Sequence, residues 1–221
     1  MTEPSYLHAT RVAYDTVAVD YAELLRDELA HKPLDRAMLG VFAELVQETG
    51  RELVADLGCG PGRITAYLHA LGLNAFGVDV SPAMIAVARK SYPDLRFEEG
   101  SMAALDLADD AVGGIVAWYS IIHTPADQMP GLFAELERVL APGGHLLLAF
   151  QAGAAKVHLD HAYGHDLSLD AYRLSPDHVS ELVRDTGLVV STRLVREPDD
   201  REKTPQAYLL AEKGPPQSGL G

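Results

Sequence analysis

The chain has 221 residues, 48% of them apolar, and its 32 acidic against 18 basic side chains give a net charge of −14. This size and apolar content suit one domain with a full core. The acidic excess, without any basic run, argues against a nucleic-acid partner, which needs Lys and Arg to displace counterions, and favours a small-molecule partner. Cys59 is the one cysteine, which excludes an internal disulfide and a thiolate metal cluster, and no metal is expected. The first eight residues carry neither a basic segment nor an apolar core, and no apolar run approaches the roughly 18 residues of a membrane span. The expectation is a cytoplasmic protein without a membrane contact.

Taken in chain order, Thr16 to Leu29 places Val17, Tyr21, Leu24, Leu25 and Leu29 at helical spacing. Residues 1–34 therefore read as a helical segment preceding the first strand. Glu52 to Leu57 is a short apolar run closed by glycines, as in a buried strand. Pro61 to Leu71 reads as a helix, and Leu73 to Val80 as the second strand. Ser81-Pro82 starts the next helix, because Ser caps and Pro suits the first turn. Strands follow at Leu95 to Glu99 and Val112 to Ser120, then a helix at Asp127 to Leu140, stopped by Ala141-Pro142-Gly143-Gly144. Leu146 to Phe150 is a fifth strand. Pro176 to Thr186 is a helix, and Leu188 to Val195 and Gln206 to Glu212 are the closing strands. The alternation predicts an α/β fold with a Rossmann-like, doubly wound, mostly parallel seven-stranded sheet, helices on both faces and antiparallel pairing at one edge. One domain is expected over 1–213, with an insertion at 151–175 on the acceptor side and a disordered tail at 214–221.

The sharpest motif is Asp56-Leu57-Gly58-Cys59-Gly60-Pro61-Gly62-Arg63, a glycine-rich turn between a strand and a helix. Glycines tolerate positive φ and let a ligand approach the backbone, and a helix start offers free N–H groups. A dinucleotide fingerprint would want its third glycine where Arg63 stands; here it falls one position early, at Gly62. Asp79 ends the second strand about 20 residues past the loop, where a carboxylate can accept hydrogen bonds from both hydroxyls of a ribose. The fourth strand ends in Trp118-Tyr119-Ser120-Ile121-Ile122-His123. Ligands of open α/β sheets sit beyond the C-terminal strand ends, so this segment should face the site.

The glycine loop, Asp79 and the turn Arg138-Val139-Leu140-Ala141-Pro142-Gly143-Gly144, in this order and spacing, resemble the motifs of the class I S-adenosylmethionine-dependent methyltransferases. The resemblance runs from about Tyr14 to Glu212. It implies S-adenosylmethionine as cofactor, S-adenosylhomocysteine as product and a small-molecule methyl acceptor. By that resemblance Asp56 helps hold the methionine ammonium, Gly58 and Gly60 lie along the cofactor, and Asp79 with Val80 meets the ribose. Ser81 and Met84 lie near the adenosine, Ser101 and Met102 border the adenine, and Trp118 is a further cofactor-binding residue. Tyr14 and Tyr21, seven apart on one helix face, close over cofactor and substrate.

His123 is the candidate catalytic base, since an ordinary imidazole titrates near neutral pH. It also stands with Tyr119, Tyr172 and Arg173 as a candidate acceptor-binding residue, and Lys156 to Arg173 reads as a lid over the acceptor. His158, His161 and His165 invite a metal reading, but Gly164 breaks any helix that would align them. Three alternatives remain at the level of sequence. A nicotinamide-dependent oxidoreductase is disfavoured by Arg63. A non-catalytic cofactor-binding module and a macromolecule-directed methyltransferase share the same motifs. Oxygen and nitrogen acceptors are favoured over carbon.

Overall fold

Five strands form the parallel part of one sheet in the computed structural model, which describes residues 3–215. They are β1 (Leu53–Leu57), β2 (Asn74–Asp79), β3 (Arg96–Glu99), β4 (Val112–Trp118) and β5 (Leu140–Gln151). Every residue of β4 is buried, as expected for a central strand covered on both faces. A separate hairpin pairs β6 (Lys156–Ala162) with β7 (His165–Tyr172). The main sheet closes with β8 (Leu188–Arg196) and β9 (Gln206–Lys213), in the order β3-β2-β1-β4-β5-β9-β8. The last strand in sequence thus inserts antiparallel beside β5, and the edge strand β8 pairs antiparallel with it.

Helices cover both faces. On one, Met129, Leu132, Phe133 and Leu136 of α5 (Met129–Val139) and Val179 and Val183 of α6 (Pro176–Asp185) pack on Ala55, Ile115, Leu146 and Leu148. On the other, α2 (Pro33–Glu48) and α3 (Arg63–Ala70) bury Leu39, Phe42, Val46, Ile64 and Leu68 against Val54, Val116 and Leu147. The helix α4 (Pro82–Ser91) joins β2 to β3, with Ser81 accepting a hydrogen bond from the Met84 N–H as its cap.

Three elements depart from the sequence reading. The helix α2 carries Met38, Leu39, Phe42, Ala43 and Val46 at helical spacing, a legible signal that the reading passed over. Gly114 makes room for it, since a Cβ there would stand 2.8 Å from Phe42 and 2.9 Å from Val46. The expected lid at 156–173 is the β6–β7 hairpin. Tyr163 and Gly164 both take positive φ (55° and 83°), the backbone of a two-residue turn whose twist suits a hairpin. Gly164 therefore turns a strand pair. The N-terminal helix α1 spans Ser5–Leu25, earlier and longer than Thr16 to Leu29, and packs on α4 and β7. Of the expected tail at 214–221, residues 216–221 lie outside the described residues. Among the described residues no helix is long and apolar enough to cross a membrane.

Candidate active site

The glycine turn sits at the C-terminal end of β1, where the parallel strands leave backbone groups facing the rim of the sheet. Gly58, Gly60 and Gly62 have φ of 69°, 54° and 84°. Their reasons differ. A Cβ at Gly58 would lie 2.3 Å from the Ser120 Cβ, so the neighbouring strand end excludes one. A Cβ at Gly62 would meet the Phe97 ring at 2.7 Å, so this glycine lets the start of α3 pack closely on β3. At Gly60 the nearest atoms would be 3.9 Å away on Tyr21 and 4.0 Å away on Met84, and the space above it is open cleft.

Asp79 ties this turn to the next. Its Oδ2 accepts from the Gly60 N–H and its Oδ1 from the Ser81 N–H, both at 2.8 Å. Each oxygen keeps a further lone pair for a ligand. Burial, ahead of the two backbone bonds that oppose it, raises its carboxyl above the ordinary value.

A cleft of about 530 Å³ opens above the turn. Gly58, Gly60, Asp79, Val80, Met84, Met102 and Trp118 line it, and Tyr14 and Tyr21 of α1 close one side. Two expected cofactor residues do not line it. Ser101 spends its hydroxyl on the Ala103 N–H in a local turn, and Gly100 faces the cleft in its place. Asp56 lies beneath the turn, 1% exposed, with Oδ2 accepting from the Thr65 hydroxyl at 2.6 Å. Its Oδ1 has no partner. Burial raises its carboxyl to about 7, against the lowering pull of Thr65 and Arg63. Among the described residues, the one other buried side-chain nitrogen or oxygen without a partner is Nη1 of Arg63, whose Nη2 pairs with Glu28 at 2.8 Å. One orphan of each charge sign therefore flanks the glycine turn. Such groups in a native fold call for a ligand or a solvent partner.

The chain leaves β4 through Tyr119, at φ 56°, into a short 3₁₀ turn that ends at His123. His123 is 8% exposed. Its Nδ1 lies 2.8 Å from the Asp170 carbonyl of β7, and its Nε2 lies 2.8 Å from the Tyr14 hydroxyl. A carbonyl only accepts, so Nδ1 carries the proton and Nε2 accepts from Tyr14. Burial lowers the pKa of His123, which favours this neutral form, and pushes the Tyr14 phenol well above its ordinary value.

Tyr14, Tyr21, Tyr119 and His123 also border a second, wider cavity of about 1550 Å³, walled by α1, the hairpin and the segment before β9. Arg173 lines this cavity. Tyr172 lines neither cavity; it lies beside Lys156, whose Nζ is 5.9 Å from its ring centroid. Alternation along β7 turns Leu167, Leu169 and Ala171 inward and Tyr172 the other way. His158, His161 and His165 each pair with a carboxylate, at Asp170, Asp166 and Asp20 respectively.

Sequence reasoning missed Asp15. Its Oδ1 accepts from the Ser81 hydroxyl at 2.6 Å and the Ala83 N–H at 3.1 Å, fastening α1 to the start of α4. No spacing rule marks an Asp that acts across 66 residues. Arg63 entered the reading only as a departure from a dinucleotide fingerprint, although a cation just past the loop was visible.

Residues 54–144 match the family model described as a methyltransferase domain. Over 133 residues the chain is 31% identical to the malonyl-[acyl-carrier protein] O-methyltransferase of Pectobacterium atrosepticum, covering 55% of this chain and 52% of that protein. Over 53 residues it is 53% identical to the trans-aconitate 2-methyltransferase of Escherichia coli O7:K1, covering 23% of this chain and 21% of that protein. The chain thus matches about half the length of the first relative and about a fifth of the second. Among solved structures, the Burkholderia thailandensis 1,6-didemethyltoxoflavin-N1-methyltransferase superposes with a TM-score of 0.71 at 20% identity, over 97% of this chain and 92% of that one. The DhpI–SAH complex gives 0.72 at 20% identity, over 97% and 100%. These two likenesses are likenesses of fold.

Proposed function

We propose that the chain, whose residues 54–144 match a methyltransferase domain, is a class I S-adenosylmethionine-dependent methyltransferase that moves a methyl group from S-adenosylmethionine to a small-molecule acceptor, leaving S-adenosylhomocysteine. The observation that carries this reading is the pair of orphaned, oppositely charged atoms beside the glycine turn, Asp56 Oδ1 and Arg63 Nη1. The cofactor's amino-acid end is a zwitterion, and an ammonium for Asp56 with a carboxylate for Arg63 would satisfy both. Asp79 would hold the ribose hydroxyls, Gly60 would let the ligand lie on the backbone, and Met84 and Met102 would flank the adenine. When bound, S-adenosylmethionine supplies an electrophilic methyl group on a sulfonium. The chain's own residues orient that group toward the wider cavity, and Tyr14 and Tyr21 cover it from water. A nicotinamide dinucleotide would need a glycine where Arg63 stands.

Calorimetric titration tests the reading: S-adenosylhomocysteine should bind and NAD should not, and the reverse result overturns it. The relatives' names give malonyl-[acyl-carrier protein] and trans-aconitate as substrates, two different acceptors, so likeness alone does not choose one.

The raised Asp56 carboxyl adds a prediction. With its folded value lifted from 3.8 to about 7, the fold keeps a proton on Asp56 that the unfolded chain loses first, so the associated stability declines as pH rises between these two values and levels off above about 7. An ammonium partner favours the ionised carboxylate. Affinity for S-adenosylhomocysteine should therefore fall by about tenfold per pH unit below 7 and level off above it. Asp56→Asn should flatten this acidic limb. Equal slopes in both proteins would remove Asp56 from the ammonium.

A further inference from the structure

The wider cavity has a charge pattern unlike the rest of the molecule. In a chain of net charge −14, four cations line it: Arg63, Arg173, Arg201 and Lys203. The three carboxylates that share its wall are already engaged. Glu28 holds Arg63, Asp35 accepts from the Tyr208 hydroxyl with Arg196 behind it, and Glu202 holds Lys32 and Arg196. The side chains of Arg173, Arg201 and Lys203 make no ion pair among the described residues. Arg201 and Lys203 are exposed at the rim, and Arg173 is half-buried at the end of the hairpin. The inner faces of α1 and the hairpin, by contrast, present Val17, Leu159, Leu167 and Leu169. One cavity thus offers an apolar wall and three cations without an ion-pair partner among the described residues.

Where this cavity meets the cofactor cleft, there is no free base. His123 has both ring nitrogens occupied, by the Asp170 carbonyl and the Tyr14 hydroxyl, and Tyr14 is a donor held protonated by burial. An ammonium or a phenol would have to shed a proton here before reacting. A carboxylate arrives already deprotonated and accepts hydrogen bonds from phenols.

We infer that the methyl acceptor is an amphipathic carboxylic acid, drawn in by Arg173, Arg201 and Lys203 and methylated on a carboxylate oxygen. The inference rests on the methyltransferase reading above. In the step, a carboxylate lone pair forms the new O–CH3 bond while the S–CH3 bond breaks, and its electron pair stays on sulfur. A neutral ester and a neutral thioether result, and no proton is moved. His123 acts as a positioning residue: its Nε2 accepts the hydrogen bond of the Tyr14 hydroxyl and so fixes the Tyr14 ring at the boundary of cleft and cavity.

The test uses the full chain saturated with S-adenosylhomocysteine, titrated with octanoate and with octanamide. The acid should bind about tenfold or more tightly than the amide. Arg173→Met, which keeps the stem packed near Gly153, should weaken octanoate by about tenfold while leaving S-adenosylhomocysteine affinity unchanged. The double variant R201M/K203M, on exposed side chains, gives the same reading without risk to the core. In turnover with methyl-labelled cofactor and a panel of acids, amines and phenols, the labelled product should release methanol in mild alkali, as an ester does. Equal binding of acid and amide, or an alkali-stable product, overturns the inference. Failure of S-adenosylhomocysteine itself to bind would instead overturn the methyltransferase reading.

Discussion

Asp79→Ala should raise the dissociation constant of S-adenosylhomocysteine by about 100-fold or more. Hydrogen bonds to a charged group contribute about 1.5–3 kcal/mol each, and the ribose would lose two of them. The substitution also removes the acceptor for the Gly60 and Ser81 N–H groups, each held at 2.8 Å. Leaving buried donors without a partner costs about 1–3 kcal/mol apiece, so the melting temperature should fall as well. Calorimetry and thermal denaturation on one preparation separate the two effects. A folded variant that binds the ligand as the parent does would show that Asp79 serves the glycine turn alone.

Gly60→Val should abolish measurable cofactor binding while the protein stays folded. The space a Cβ needs exists, with Tyr21 at 3.9 Å and Met84 at 4.0 Å, but that space is the cleft. Holding a β-branched residue at φ 54° adds strain on the order of 1–2 kcal/mol, which a fold of ordinary stability survives. Gly58→Ala is the contrasting case. Its methyl would stand 2.3 Å from the Ser120 Cβ, so the damage should appear first as lost stability. Near-parent affinity in Gly60→Val would mean that the ligand does not lie along this part of the turn. Loss of folding in Gly60→Val with none in Gly58→Ala would reverse the roles given to the two glycines.

What was legible in the sequence was local. The turn from β1 into α3 was readable because positive φ at three closely spaced positions demands glycine, and Asp79 because a strand end sits a fixed distance beyond such a turn. The helices on both sheet faces followed from periodicity, and α2 could have been read the same way from Met38 to Val46. The hairpin was half-visible. Alternate apolar residues in β7 carry a two-residue period, but the segment was read as a lid loop over the acceptor rather than as a strand pair.

Long-range placement was another matter. Tyr14 and His123 are 109 residues apart, and their hydrogen bond forms only because α1 lies across the strand ends. Asp56 looked like a residue of the cleft and instead sits beneath it, because Thr65 on the first turn of α3 takes one of its oxygens downward. Arg63 finds Glu28, and the other three cations of the wider cavity make no ion pair among the described residues, because α1, the hairpin and the segment before β9 converge there. The sequence by itself determined the sheet type, the glycine turn and the carboxylate that ends β2, since each rests on backbone geometry or on spacing along the chain. Only the tertiary structure decided which charges stay unpaired and which base is occupied, since both depend on groups that meet solely through packing.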